Sequence, residues 1–257
     1  MEEASVIKMP VGFVGHGSPG TVLDEPKRRV WGAWGRGLPR PTAVLVVSAH
    51  WEDSPLRLGR TSSHEHLYYD FGGFPDPLYR LTYPAPGAPE LAGEVIAALP
   101  DVWRPLATDR PLDHGAWMPL LHMFPAADLP VLQLSMPDDL SDGELCDLGR
   151  HLAPLRRQGV FILGSGNVVH NIMRPRPPET PAYARRFDSW VAETLVSGDQ
   201  QALLEWRRHP DARHSHPSDE HFRPLLVAVG AAGGDAVSFP VEGFEHITVS
   251  LRSVQFG

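Results

Sequence analysis

Four short runs rich in Val, Ile and Leu, at residues 11–15, 43–48, 130–135 and 159–164, each give way to Gly, Ser or His at or soon after their ends. Nothing else in the chain constrains its fold as much. Short apolar runs with little alternation suit strands covered on both faces, since a strand with one wet face would place a polar residue at every second position. Helical patterns lie between and after them, at 89–99, 116–124, 139–157, 181–196 and 218–229. In the fourth, Phe187, Trp190, Val191, Thr194 and Leu195 fall on one helical face. Pro154 should kink or end the third. Residues 236–241 and 247–256 alternate well enough to form two more strands, an antiparallel pair at a sheet edge. The alternation of strand and helix predicts an α/β fold with a mostly parallel or mixed central sheet covered by helices. A chain of 257 residues, 42% hydrophobic, can bury a large core as one domain spanning 1–257.

Charge and composition remove several classes of function. A net charge of −8 disfavours a nucleic-acid partner, which requires concentrated Lys and Arg. No window approaches the run of about 18 apolar residues that spans a membrane, so no membrane association is expected. The acidic start Met1-Glu2-Glu3-Ala4 is unlike a signal peptide, and a cytoplasmic protein is expected. Cys146 is the single cysteine, which excludes an internal disulfide and a thiolate cluster. It adjoins an apolar helical stripe and reads as a packing thiol.

Histidines punctuate the ends of these runs. His16 follows the first between two glycines, in Gly15-His16-Gly17-Ser18-Pro19; glycines there permit a tight turn and close approach of a ligand. His50, in Ser48-Ala49-His50-Trp51, follows the second; if the two strands are neighbours, the two rings emerge side by side. His170 follows Gly164-Ser165-Gly166-Asn167, a segment that could cradle phosphate but lacks the P-loop Lys. Alone, His170 reads equally well as structural. His221 falls in the first turn of a helix for which Ser218 is the expected N-cap, and a solvated helix start is its bland reading. Asp113-His114-Gly115 fits a proton-transfer pair and fits a helix cap nearly as well. His64, His66, His122, His151, His209 and His246 lack such context and read as surface or packing residues. Three or four imidazoles without thiolates suit Zn or Fe(II), and not Mg or Ca. The stretch 68–89 has too much Pro and Gly for a helix and too many aromatics for a linker; it reads as an ordered loop packed over something.

Together these motifs resemble the extradiol DOPA dioxygenases, a branch of the class III extradiol ring-cleavage dioxygenases. The resemblance rests on the His16, His50, Asp113-His114-Gly115 and Gly164-to-Asn171 motifs above, with Asp70-Phe71-Gly72-Gly73-Phe74-Pro75, Tyr83-Pro84-Ala85-Pro86-Gly87, Glu220-His221-Phe222 and Pro240-Val241-Glu242-Gly243. They occur in the family's order along nearly the whole chain. The resemblance implies a single α/β domain with one divalent metal ion at the C-terminal ends of the strands. His16, His50 and His221 would be ligands, and His170 either a further ligand or the acid/base group. Relatives in the wider class use two His and a carboxylate, which leaves Glu220 as an alternative to His221. The implied reaction opens the ring of a small-molecule catechol such as DOPA with O2, giving a semialdehyde. Fe(II) is expected for that chemistry because zinc is redox-inert, although an all-His site also holds zinc well. His170, then His114, are the groups implied for proton transfer, and the aromatic loop, Trp51 and Trp117 would wall the cavity.

Other readings compete with this one. A zinc hydrolase on the same histidines would activate water and need no O2. The opening Gly-His-Gly-Ser also resembles the start of small tetrapyrrole metal chelatases, whose later motifs do not match. A non-catalytic metal-binding relative on the same fold would have no need for all four of His16, His50, His170 and His221.

Overall fold

The computed structural model describes residues 8–172 and 178–257; the acidic N-terminus lies outside the described residues. The chain runs β1 (Val11–Gly15), α1 (Glu25–Gly37), β2 (Ala43–Glu52), β3 (Arg57–Leu58), α2 (Pro89–Ala98), β4 (Leu106–Ala107), α3 (His114–Met123), β5 (Val131–Met136), α4 (Asp142–Leu152), β6 (Val160–Gly166), α5 (Ala182–Ser197), α6 (Gln200–Leu204), α7 (Ala212–Ser215), α8 (Arg223–Ala232), β7 (Val237–Val241), β8 (Phe244–Glu245), β9 (Val249–Ser250) and β10 (Ser253–Phe256). One eight-stranded sheet has the order β4-β3-β5-β2-β6-β1-β10-β7, and β8 and β9 form a separate hairpin. Strands β5, β2, β6 and β1 are mutually parallel, while β10 and β7 add antiparallel at one edge. The sheet is therefore mixed, with an antiparallel pair at its edge as expected, although the second expected strand, 247–256, is divided between β9 in the hairpin and β10 in the sheet.

Alternate residues of the central strands serve two cores. Leu45 and Val47 of β2, with Val160 and Ile162 of β6, pack with α2, α4, α5 and α8. Val44, Val46, Phe161 and Leu163 pack on the other face with Trp31 and Trp34 of α1 and Trp117 and Leu120 of α3. Burial on both faces is why these strands read as continuous apolar runs. The predicted stripe of α5 is borne out, with Phe187, Val191, Thr194 and Leu195 buried. Helix α4 carries a Ser141/Glu144 capping box, then tightens into a 3-10 segment, Ala153–Gln158, with Pro154 in its first turn. Cys146 lies on the buried face of that helix, and burial pushes its thiol pKa up, as expected of a packing residue.

Two helix starts differ from expectation. Helix α8 begins at Arg223 with Pro224 in its first turn, where a fixed φ and a missing N–H are tolerated. Ser218 does not cap it; its hydroxyl donates to Glu220 Oε1 at 3.0 Å, and His221 sits in the turn before the helix. Helix α1 was not anticipated, because Gly32, Gly35 and Gly37 within a basic segment look like loop. Gly35 has a packing reason: a Cβ there would overlap the backbone of Met123 at the end of α3. No described helix is long and apolar enough to cross a membrane.

Candidate metal centre

Six imidazoles and one carboxylate, those of His16, His50, His114, His170, His221, His246 and Glu220, line one cavity of about 690 Å³ at the carboxyl ends of the parallel strands. The volume falls in the usual range of small-molecule sites, about 300–1,000 Å³. His16 leaves β1, His50 lies near the end of β2, and β6 runs between them, so these strands are not neighbours. The rings meet nonetheless, with centroids 5.0 Å apart and Nε2 atoms 3.1 Å apart. The intervening strand ends in Gly164-Ser165-Gly166, whose small side chains leave room above it. Both glycines are required on the other face: a Cβ at Gly166 would overlap the His221 carbonyl, and one at Gly164 the Pro224 carbonyl. Strand β6 thus lets the turn carrying His221 press onto the sheet.

Oxygens lie behind the rings, on the Nδ1 side, and Nε2 of His16 and His50 face each other. Ser165 Oγ donates to the Gly115 carbonyl, so its lone pair accepts from His16 Nδ1 at 2.9 Å. His114 Nδ1 lies 3.0 Å from Asp70 Oδ1, and His50 Nδ1 lies 3.5 Å from Asp70 Oδ2. His221 Nδ1 lies 2.8 Å from Glu220 Oε1. His16 and His221 each direct Nδ1 at a hydrogen-bonding oxygen, whereas the Asp70 carboxylate lies against Nδ1 of His114 and His50 without a formed hydrogen bond; being able only to accept, it favours a proton on those nitrogens and an Nε2 lone pair turned inward. With Nδ1 protonated on both rings, the two Nε2 lone pairs stand 3.1 Å apart and repel; moving the His50 proton to Nε2 would make this contact a hydrogen bond but turn an Nδ1 lone pair toward the Asp70 carboxylate. A cation resolves this conflict. Two imidazole nitrogens about 2.1 Å from one ion, at ordinary angles, stand about 3.0–3.4 Å apart. The donor set fits a metal ion, and its outer oxygens are the partners that metal-binding histidines require.

Burial keeps these rings neutral and ready to coordinate. His16 and His221 have pKa values well below the ordinary imidazole range, chiefly from desolvation and then from neighbouring rings. Burial also lowers His50 to about 3, assisted by His114, and His170 to about 4. Burial pushes the Asp70 carboxyl up, but the hydrogen bond and charge of His114, with His50 behind it, outweigh this and hold it below the usual value. Desolvation and the charge of Asp70 raise the pKa of Asp113, which is buried at the N-cap of α3 and accepts from Ser48 Oγ at 2.8 Å.

The sequence-predicted residues converge, with adjustments. The donor atoms of His16, His50 and His114 lie within 4.8 Å of one another, as do those of His170, Glu220 and His221. His170 stacks on His221 at 3.5 Å, and His221 lies 5.4 Å and 4.9 Å, ring to ring, from His16 and His50. His114, read as a proton-transfer group, thus stands as close to His16 and His50 as a ligand would. The aromatic wall consists of Phe71 and Phe74. Trp51 and Trp117 do not line the cavity: Trp117 is buried beneath the loop with Nε1 donating to the Tyr68 carbonyl, and Trp51 lies under the Arg110 guanidinium. His246, read as a surface or packing residue, lines the cavity with Nε2 2.9 Å from Ser18 Oγ. Asp70 carries no role in the sequence reading; a lone acid in an aromatic, glycine-rich loop is its only signal.

Comparison with known proteins agrees with this geometry. Residues 20–257 match the family described as the catalytic LigB subunit of aromatic ring-opening dioxygenase. The chain is 38% identical to an Escherichia coli K12 protein named 4,5-DOPA dioxygenase extradiol, over 98% of this chain and 96% of that one. A Beta vulgaris protein of the same name is 39% identical over 86% of each. A crystal structure of an uncharacterized Escherichia coli K12 protein superposes with a TM-score of 0.80 at 33% identity, covering 97% of this chain and all of that one. Matched by the family across nearly all of its length and by relatives of this closeness, the chain belongs to the LigB family of aromatic ring-opening dioxygenases.

Proposed function

We propose that this protein is a metal-dependent extradiol dioxygenase that opens the ring of a catechol, DOPA or a close analogue, using O2. The observation that carries the reading is the convergence of the His16 and His50 Nε2 atoms, 3.1 Å apart, with the His221 ring 5.4 Å and 4.9 Å away from those rings in the same cavity. His16, His50 and His221 hold the ion. When bound there, Fe(II) would bring catechol and dioxygen together and pass electron density between them, a role that redox-inert zinc cannot fill.

The remaining groups handle protons and water. His114, with Nδ1–H directed at the Asp70 carboxylate, has an Nε2 suited to accept a catechol proton, and Asp70 stabilises the imidazolium that results. His170, held against His221 and exposed to the cavity, is the group placed to return a proton to oxygen as the ring opens. Phe71 packs edge-on to His114 at 5.6 Å and to Phe74 at 5.5 Å, forming an apolar wall that excludes water beside the reacting ring. In sum, both atoms of O2 enter one product, as a carboxylate and an aldehyde across the cleaved bond next to the diol.

The proximity of His114 favours a second ligand set, in which His114 joins His16 and His50 and His221 moves to proton transfer. Anaerobic loading with Fe(II), followed by air and a panel of catechols, tests the function itself. A yellow product with stoichiometric O2 uptake is expected; hydrolysis by the zinc-loaded protein with no O2 uptake would refute it.

A further inference from the structure

We infer that Asp70 is a positioning residue that sets the tautomer of two site imidazoles at once, and that its uncharged amide counterpart would convert the metal-binding pair His16/His50 into a self-sufficient hydrogen bond. The inference rests on the metal reading above.

The two oxygens of Asp70 have different work. Oδ1 accepts from the backbone N–H of His114 at 3.0 Å and lies 3.0 Å from His114 Nδ1. Oδ2 is buried, makes no hydrogen bond among the described residues, and lies 3.5 Å from His50 Nδ1. A carboxylate can only accept, so its two oxygens favour a proton on the Nδ1 that faces each of them and an Nε2 lone pair turned inward on both rings. An amide cannot do this, because it offers one accepting oxygen and one donating nitrogen.

The orientation of that amide is dictated by the surroundings. In Asp70→Asn the oxygen should take the Oδ1 position, where the backbone N–H of His114 donates to it and an NH2 would oppose that N–H. The NH2 then takes the Oδ2 position and donates to His50 Nδ1, driving the proton of that ring to Nε2. His50 Nε2–H faces the Nε2 lone pair of His16 at 3.1 Å and donates to it, so the pair no longer calls for a cation. His114 keeps its tautomer. One substitution in the aromatic loop should thus disable a ligand on β2 while leaving its nearer neighbour intact.

The test compares Zn2+ affinity of wild type and Asp70→Asn by chelator competition, with melting curves of both metal-free proteins as a check on folding. The variant should bind Zn2+ roughly 10–100-fold more weakly. In metal-free Asp70→Asn, 15N histidine spectra should show His50 protonated on Nε2 and His114 still protonated on Nδ1, a pattern that general loosening would not produce. Equal Zn2+ affinity in a folded variant, or an Nδ1-protonated His50 within it, overturns the role of Asp70. If the variant does not fold, the wild-type Zn2+ form decides: slowly exchanging Nδ1 protons on both rings support the assignment, and a His114 protonated on Nε2 overturns it. Wild type that takes up no Zn2+ counts against the metal reading itself.

Discussion

The Nε2 atoms of His16 and His50 stand 3.1 Å apart even though a whole strand, β6, separates the strands that carry them. Each ring is held from behind, His16 by Ser165 and His50 by Asp70, so the contact is imposed by the fold. Removing either ring should remove the ion. His16→Ala and His50→Ala are expected to purify without bound divalent metal and to lose the rise in melting temperature that metal gives the wild type. That rise corresponds to about 2.7 kcal/mol at a free concentration 100 times Kd. Full metal occupancy of His16→Ala, read by elemental analysis, would remove it from the ligand set.

The third ligand is decided by a paired experiment. With His16, His50 and His221 as ligands, His221→Ala should lose metal. His114→Ala should keep it and lose about 10²–10⁴-fold in turnover, the span of a general acid/base. The reverse pattern of metal content would establish the second ligand set, built on the short distances among His16, His50 and His114.

How far the sequence revealed the site depends on what each residue's placement required. The central strands were legible because burial on both faces erases alternation, and His16, His50 and His170 were legible because each ends such a strand. The route by which they meet was not, since strand order is long-range: side-by-side emergence was conditional on β1 and β2 being neighbours, whereas the rings meet across a small-residue gap over β6. His221 was found but misplaced, because Pro224 and not Ser218 sets the start of α8. Trp51 and Trp117 were assigned to the cavity wall by residue type, which says nothing of direction; both point into packing. Asp70 and His246 lie on loops whose side-chain partners come from elements more than 15 residues away, beyond any local pattern.

Acid should destabilise the metal-free protein through His216, a buried ring whose Nε2 donates to the Val168 carbonyl at 2.7 Å. Desolvation lowers its folded pKa to about 4 from the ordinary 6.5, although the hydrogen bond opposes this. Between those values the unfolded chain binds the extra proton. The contribution of His216 is therefore fully present above pH 6.5 and lost as pH falls through 4, at most about 3 kcal/mol. Urea midpoints should decline across this window, and more shallowly in His216→Gln, which retains a donor for Val168. Identical slopes in the two proteins would show that His216 is not a source of the acid sensitivity.

Packing between α4 and α8 should matter to the metal centre as well as to stability. The helices cross at reciprocal glycines: a Cβ at Gly230 would overlap the Cys146 carbonyl, and one at Gly149 would overlap the Val227 carbonyl. Backbone cannot yield as a flexible side chain does, so Gly230→Ala must push α8 away, at a cost of about 3 kcal/mol. Displacing α8 also displaces the turn at its start, which carries His221 and rests on Gly166. Gly234→Ala is the matched control, with open space around it and a positive φ of 86°, so its penalty is conformational and nearer 1 kcal/mol. Gly230→Ala should therefore weaken Zn2+ binding at a temperature where it is still folded, whereas Gly234→Ala should lower the melting temperature slightly and leave metal affinity unchanged. Equal metal affinity in both variants would separate the helix crossing from the site and leave the position of His221 to its contacts with Gly166, Asn167 and His170.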